Sequence, residues 1–219
     1  MKSCILCFLG LSAGLSQAVI LVTPTGLSND SGVSEFFALG NIVDGSGLSG
    51  AADFSNYTSI THAAASGTTA WTTDAPNGAG DYFLAGSPGT PAVVSLDLGT
   101  SYEISDFVFW GYHFGAPNGN EAREFSLEFS NDGGTSFSAP VVVANPLSVY
   151  AADQASTLSL GATFTADTVR MTVTDNHFGG ASPGGDRIGI GEVKFIAIPE
   201  PSTSLLVGLA GLALLRRRR

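Results

Sequence analysis

The chain has 219 residues, of which 44% are hydrophobic and only 13% charged, and it carries a formal net charge of −10. The charge is unevenly placed. Lys2 and Arg216 to Arg219 sit at the ends, leaving Arg123, Arg170, Arg187 and Lys194 against nineteen acidic residues between positions 19 and 200, a net of −15. A surface of that sign repels phosphate backbones and excludes nucleic acid as a partner, while it suits divalent cations and solubility outside the cell.

Residues 1–18 have the layout of a secretory signal. Lys2 supplies the positive start, Ile5 to Leu15 is apolar, and Ser16-Gln17-Ala18 offers small residues for signal peptidase. The apolar run is shorter than the roughly 20 residues a spanning helix needs. Cys4 and Cys7 are the two cysteines of the chain, and both lie in this segment. Its removal leaves a mature chain with no disulfide and no thiolate metal site. Gly10-Leu11-Ser12-Ala13-Gly14 matches the spacing of a nucleophile elbow, but within a signal it carries no chemistry.

Residues 19–198 form a single all-β domain on this reading. Asn41-Ile42-Val43-Asp44-Gly45 is a candidate loop, and the stretch from Asp53 to Thr90 is long and rich in Gly, Ala and Thr. Val94, Leu96 and Leu98 alternate with Ser95 and Asp97, as expected of a half-buried strand. The run from Glu103 to Tyr112 is apolar on both faces, which predicts a strand covered on each side. Phe125, Leu127 and Phe129 alternate with Glu124, Ser126 and Glu128. The Asn131-Asp132-Gly133-Gly134 turn follows, with Phe137 to Val143 as the return strand. Val169, Met171 and Val173 alternate with Arg170, Thr172 and Thr174. In the last strand Ile188 and Ile190 keep one phase and Val193, Phe195 and Ala197 the other. The slip falls at Gly191-Glu192 and predicts a bulge that re-aims Glu192.

Two polar-aromatic clusters stand at strand ends: Tyr112-His113-Phe114 after Trp110, and Asn176-His177-Phe178 after Asp175. A sugar site needs an aromatic face and a few fixed hydrogen-bonding groups, so these six residues are the candidate ligand-binding rim. Catalytic signals are poor. His62, His113 and His177 are scattered, with no pair at zinc-binding helical spacing, and no carboxylate pair stands apart from the outward faces of strands. Asn56-Tyr57-Thr58 matches a glycosylation sequon, a pattern too short to carry an argument.

Val94-Ser95-Leu96-Asp97-Leu98-Gly99 followed by Tyr102-Glu103-Ile104 resembles the core of discoidin (F5/8 type C) domains. These are the galactose-binding-like domains, which include family-32 carbohydrate-binding modules. Phe125 to Gly133, the Asp44-Gly45 loop and the Ile190-to-Phe195 strand resemble further motifs of that family in the family's order. The resemblance covers about residues 33 to 198 and implies an eight-stranded jelly-roll sandwich. It also implies a structural Ca2+ held by Asp44 and Glu192 carboxylates, the Ser49 hydroxyl and carbonyl, and carbonyls of Asn41, Ser46 and Gly191. Two features depart from the family: the disulfide joining first and last strands is absent, and Trp71 stands farther from the Asp-Gly loop than the family tryptophan.

Residues 199–219 form a sorting tail. Pro199-Glu200-Pro201, the apolar run Leu205 to Leu215, and Arg216, Arg217, Arg218 and Arg219 resemble the PEP-CTERM signal in order and position. Eleven apolar residues span about 16 Å as a helix, against a hydrocarbon core of about 30 Å. That resemblance implies an exosortase partner in a Gram-negative bacterium, passage through the inner membrane with transient or retained contact through a short C-terminal helix, and delivery to the cell surface or matrix. The leading functional expectation is non-catalytic recognition of carbohydrate, with exopolysaccharide as the ligand class. A purely structural matrix protein without a defined pocket is the rival, and a secreted hydrolase a distant third.

Overall fold

The computed structural model describes residues 18–75, 82–83, 91–115, 118–144, 153–178 and 186–199. The signal segment 1–17 and the tail from 200 onward lie outside the described residues. Ten strands are present: β1 Ile20–Val22, β2 Gly26–Asn29, β3 Glu35–Phe37, β4 Trp71–Thr73, β5 Ala92–Trp110, β6 Ala122–Ser130, β7 Val141–Ala144, β8 Ala155–Asn176, β9 Gly189–Ile190 and β10 Glu192–Pro199. The described helical structure is two 3-10 turns, Leu39–Ile42 and Tyr57–Ser59. Seven strands make one antiparallel sheet in the order β1-β10-β5-β8-β6-β7, with β2 paired to the first half of β5. β3, β4 and β9 make a second, small sheet.

The large sheet is folded over on itself. β5 and β8 pair along nearly their whole length, from Ala92↔Val173 to Trp110↔Ala155. β5 takes five steps from Asp97 to Tyr102 where β8 takes two, and β8 takes five from Phe164 to Ser159 where β5 takes two. Gly99 and Gly161, at φ 78 and 72, supply the turns within these excursions. The consequence shows in two rings. Phe107 lies opposite Leu158 and Phe125 opposite Val173. Fifteen residues of β8 separate those positions, about 50 Å on a straight strand. The two rings are nevertheless 5.2 Å apart, edge to face. The long ribbon therefore bends double, and its halves become the two layers of a jelly-roll sandwich.

Between the layers lies one apolar core. Val94, Leu96 and Leu98 enter it from one half of β5, and Ile104, Phe107 and Phe109 from the other. Phe125, Leu127 and Phe129 of β6 and Val169, Met171 and Val173 of β8 complete it, on the faces their alternation predicts. The both-sided apolar run also has its reason. Val108 and Trp110 point to the opposite face, where they pack with Ile196 against Leu48, Tyr57 and Ile60 of the 48–60 loop. Trp110 Nε1 donates to the Ile60 carbonyl at 3.0 Å.

One strand boundary differs from expectation. The return strand begins at Val141 rather than Phe137. Residues up to Pro140 extend the turn, with Ser138 N–H donating to the Phe129 carbonyl at 2.9 Å. Pro140 has no N–H to offer a ladder, so regular pairing starts after it. The turn itself is anchored by exposed Asp132, which accepts from the Thr135 and Ser136 amides and from the Ser136 hydroxyl. Those bonds, the Ser136 hydroxyl foremost, hold its pKa down to about 2.

Candidate functional site

Because the ribbon bends double, its two ends meet, and the small β3-β4-β9 sheet lies where they do. The meeting point is built on glycine. β9 ends at Ile190 opposite Trp71, and the Gly191 amide donates to the Trp110 carbonyl at 3.0 Å. β10 then starts with Glu192 opposite Trp110 in the large sheet. The phase slip at Gly191-Glu192 is thus a strand changing sheets. A Cβ at Gly191 would come within 2.8 Å of the Trp110 and Gly111 carbonyls, so only glycine passes there.

That crossing aims Glu192 at the 44–49 loop. Its carboxylate is fully buried. Oε2 accepts the Gly45 amide at 3.2 Å, and Oε1 receives the Lys194 ammonium at 3.0 Å. Lys194 Nζ also donates to Thr23 Oγ1 at 2.8 Å. Burial raises the Glu192 pKa, the Lys194 charge and hydrogen bond oppose that, and nearby Asp44 adds repulsion.

The six residues expected around calcium meet here in part. Asp44 is exposed, and its Oδ1 accepts the Ser46 amide at 2.8 Å. Asn41 spends its amide on the Gly67 and Ala70 carbonyls, and Ser46 donates to the Thr68 carbonyl. Ser49 Oγ accepts the Thr61 amide at 3.1 Å. Among the described residues no group of three or more His, Cys, Asp or Glu is placed to hold a metal. The cation beside Glu192 is an ammonium. A divalent ion about 4 Å from it would meet repulsion of about 8 kcal/mol at an effective dielectric of 20. With Lys194 in this position the donor set does not fit a calcium cage.

The expected sugar-binding rim is reorganised by burial. Tyr112 and His113 are buried, at 3% and 4% exposure. The Tyr112 ring covers Gly189, where a Cβ would fall 2.3 Å from its Cγ. Burial pushes the Tyr112 phenol pKa up. His113 Nδ1 accepts the Gly115 amide at 3.1 Å, which leaves Nε2 to donate to the His62 carbonyl at 3.0 Å. Asn176 is buried too. Its amide bonds the Asp186 carboxylate and the Arg187 carbonyl, and its Oδ1 accepts the Phe178 amide. The His113 and Asn176 side chains thus tie neighbouring loops together. His177 and Phe178 are half-buried, with the Phe178 ring lying over Gly119. Of the six, Phe114 is exposed, at 57%.

The structure adds residues the sequence reading passed over. Phe36 on β3 is 56% exposed, and the Arg187 guanidinium lies 4.3 Å above its ring. Arg187 Nη1 donates to the Thr73 carbonyl at 3.0 Å and stands 4.0 Å from the Asp74 carboxylate, which also holds Ser34. Phe36 touches Phe37, Phe37 packs against the cluster of Ala65, Ala70 and Tyr112, and Tyr112 meets Phe114 edge to face at 5.3 Å. The two ring pairs, joined through that cluster, form a belt across this end, with Phe36 and Phe114 exposed at its two termini. Beside it lies a hollow of about 290 Å³ lined by residues 31–34, Asp74, Ala75 and Tyr82. Two signals in the sequence pointed here: Arg187 is one of four cations between the ends, and Phe36-Phe37 is a tandem that a strand must split between its faces.

The topology is that of a jelly-roll β-sandwich, with an aromatic and ionic patch at its loop end. Comparison with solved structures agrees on the fold. The CBM32-1, CBM32-2 and M60 catalytic domains of Clostridium perfringens ZmpB match at a TM-score of 0.51 and 14% identity. That match covers 81% of this chain and 15% of that one. The C-terminal domain of a chitobiase from Bacteroides fragilis matches at 0.50 and 14% identity, over 83% of this chain and 99% of that one. A C. perfringens family-32 module solved with GalNAc-β-1,3-galactose is 19% identical over 78% of this chain and 93% of its own, at a TM-score of 0.44. In sequence, residues 197–219 match the PEP-CTERM protein-sorting motif. No curated protein matches the chain. Among the described residues no helix is long and apolar enough to cross a membrane.

Proposed function

We propose that this chain is an exported, non-catalytic recognition protein of the cell surface that holds carbohydrate on the Phe36–Phe114 belt. One observation carries the reading: two phenylalanines stay exposed at the same end of the sandwich as the Arg187 guanidinium and the exposed Asp74 carboxylate. Exposed aromatic faces can stack on the apolar face of a pyranose. Arg187 and Asp74 supply a donor fork and an acceptor for its hydroxyls. The sorting motif supports export, and an exosortase is the enzyme proposed to read it. Exopolysaccharide of the producing cell is the proposed ligand class.

The test is titration calorimetry of the exported protein against a panel of bacterial polysaccharides and their oligosaccharides. Saturable binding is expected. Phe36→Ala and Phe114→Ala should each weaken it about tenfold, the worth of one aromatic contact, with little change in melting temperature. Absence of saturable binding to every sugar would return the protein to the matrix-filling reading.

A further inference from the structure

We infer that Lys194 serves as a built-in structural cation, so that the junction between the 44–49 loop and the last strand is held without any metal ion. Three observations converge on it. First, Lys194 is the most deeply placed cation of the central domain. Its side chain is 5% exposed, against 51% for Arg123, 34% for Arg170 and 20% for Arg187. Such burial of an ammonium requires a partner. Second, the partner is fixed by strand geometry. Glu192 and Lys194 are two apart on β10, so they share the face opposite Val193 and Phe195, which line the core. Their charged ends meet at 3.0 Å.

Third, the contacts reach three separate parts of the chain. The ammonium bonds Thr23, just past β1, and Glu192 on β10, while the other Glu192 oxygen bonds the Gly45 amide. One charge pair thus links the N-terminal strand, the final strand and the loop below the aromatic belt. A divalent ion in a loop–strand junction does the same work by gathering oxygens. Here a side chain of the protein itself supplies the positive charge, and it cannot be lost to dilution or chelation.

The experiment is thermal unfolding of the exported protein. In chelator and in millimolar calcium the melting temperature should agree within about 1 °C, since an ion that does not bind cannot stabilise. Lys194→Met strands a buried carboxylate and should lower it by roughly 10 °C. The double variant Glu192→Leu with Lys194→Met replaces the pair by apolar groups and should recover most of that loss. A wild-type melting temperature that rises in calcium and falls in chelator would overturn the inference, and that measurement needs no variant to fold. So would a Lys194→Met protein that melts with the wild type.

Discussion

His62 shows how a single residue at this site sets a pH dependence. It is 3% exposed and wedged where a Cβ on Gly47 would fall 2.1 Å from Nε2 and one on Gly191 3.0 Å from Cε1. Its Nδ1 bonds the Ala63 carbonyl at 2.7 Å. Burial is the main force lowering its pKa, the Ala63 bond opposes that, and His113, whose ring centre is 6.1 Å away, lowers it further. The folded protein therefore prefers the neutral ring, while the unfolded chain takes a proton near pH 6.5. The contribution is present in full above that value. It is lost as the pH falls below it, at up to about 1.4 kcal/mol per unit, until the folded ring charges as well. Melting temperature should fall by roughly 3 °C per unit between pH 6.5 and 5. His62→Asn keeps a donor for Ala63 but has no titrating ring, so its decline over the same interval should be shallower. Melting curves of both proteins at pH 7, 6 and 5 check this.

At the scale of elements, β10 serves two masters. The sorting motif begins at residue 197, yet Ala197, Ile198 and Pro199 still belong to β10 and pair with Ile104, Glu103 and Tyr102. Ala197 is 1% exposed. Pro199 is tolerated because it closes the strand, where a missing N–H costs little. A chain ended after Pro199 should melt with the uncut protein, whereas one ended after Ile196 should melt roughly 5 °C lower, having lost three pairings and a buried side chain. Comparing those two truncations tells how near to the sheet a processing enzyme can cut. Much of this architecture was legible in advance. Val94-Leu96-Leu98 and Phe125-Leu127-Phe129 alternate because each strand has one face in the core, and the slip at Gly191, read as a bulge, is where the chain changes sheets. The doubling of the ribbon was not, because it depends on two excursions, at Gly99 and Gly161, that offset each other only once the strands are paired. The burial of the expected rim was not legible for a related reason. His113 and Asn176 look like ligand residues in sequence, but a polar side chain at the root of a loop can equally satisfy buried carbonyls. Phe36 was passed over because nothing in Glu35-Phe36-Phe37 says which ring of the tandem faces out.

For the whole molecule, the doubled ribbon sets which end of the sandwich leads into the sorting motif. β10 starts at the loop end, where Glu192 lies opposite Trp110. It finishes opposite Tyr102, beside the Gly99 turn at the folded end. Seven steps of a strand at about 3.3 Å each separate them, roughly 23 Å. Pro199 therefore lies at the end opposite the aromatic belt, and the expected outcome for a precursor tethered by the sorting motif is that Phe36, Arg187 and Phe114 face outward. Both cysteines lie within residues 1–18, so single-cysteine variants of a chain lacking that segment report position without background. Phe114 stands at the belt, and Thr100, also exposed, stands at the folded end. In spheroplasts carrying the tethered precursor, a bulky polymer maleimide should label Phe114→Cys readily and Thr100→Cys more slowly. The two should label at equal rates once the protein is released. Equal rates in the tethered state would mean that the tail does not hold the folded end against the bilayer, and that the belt has no preferred outward direction.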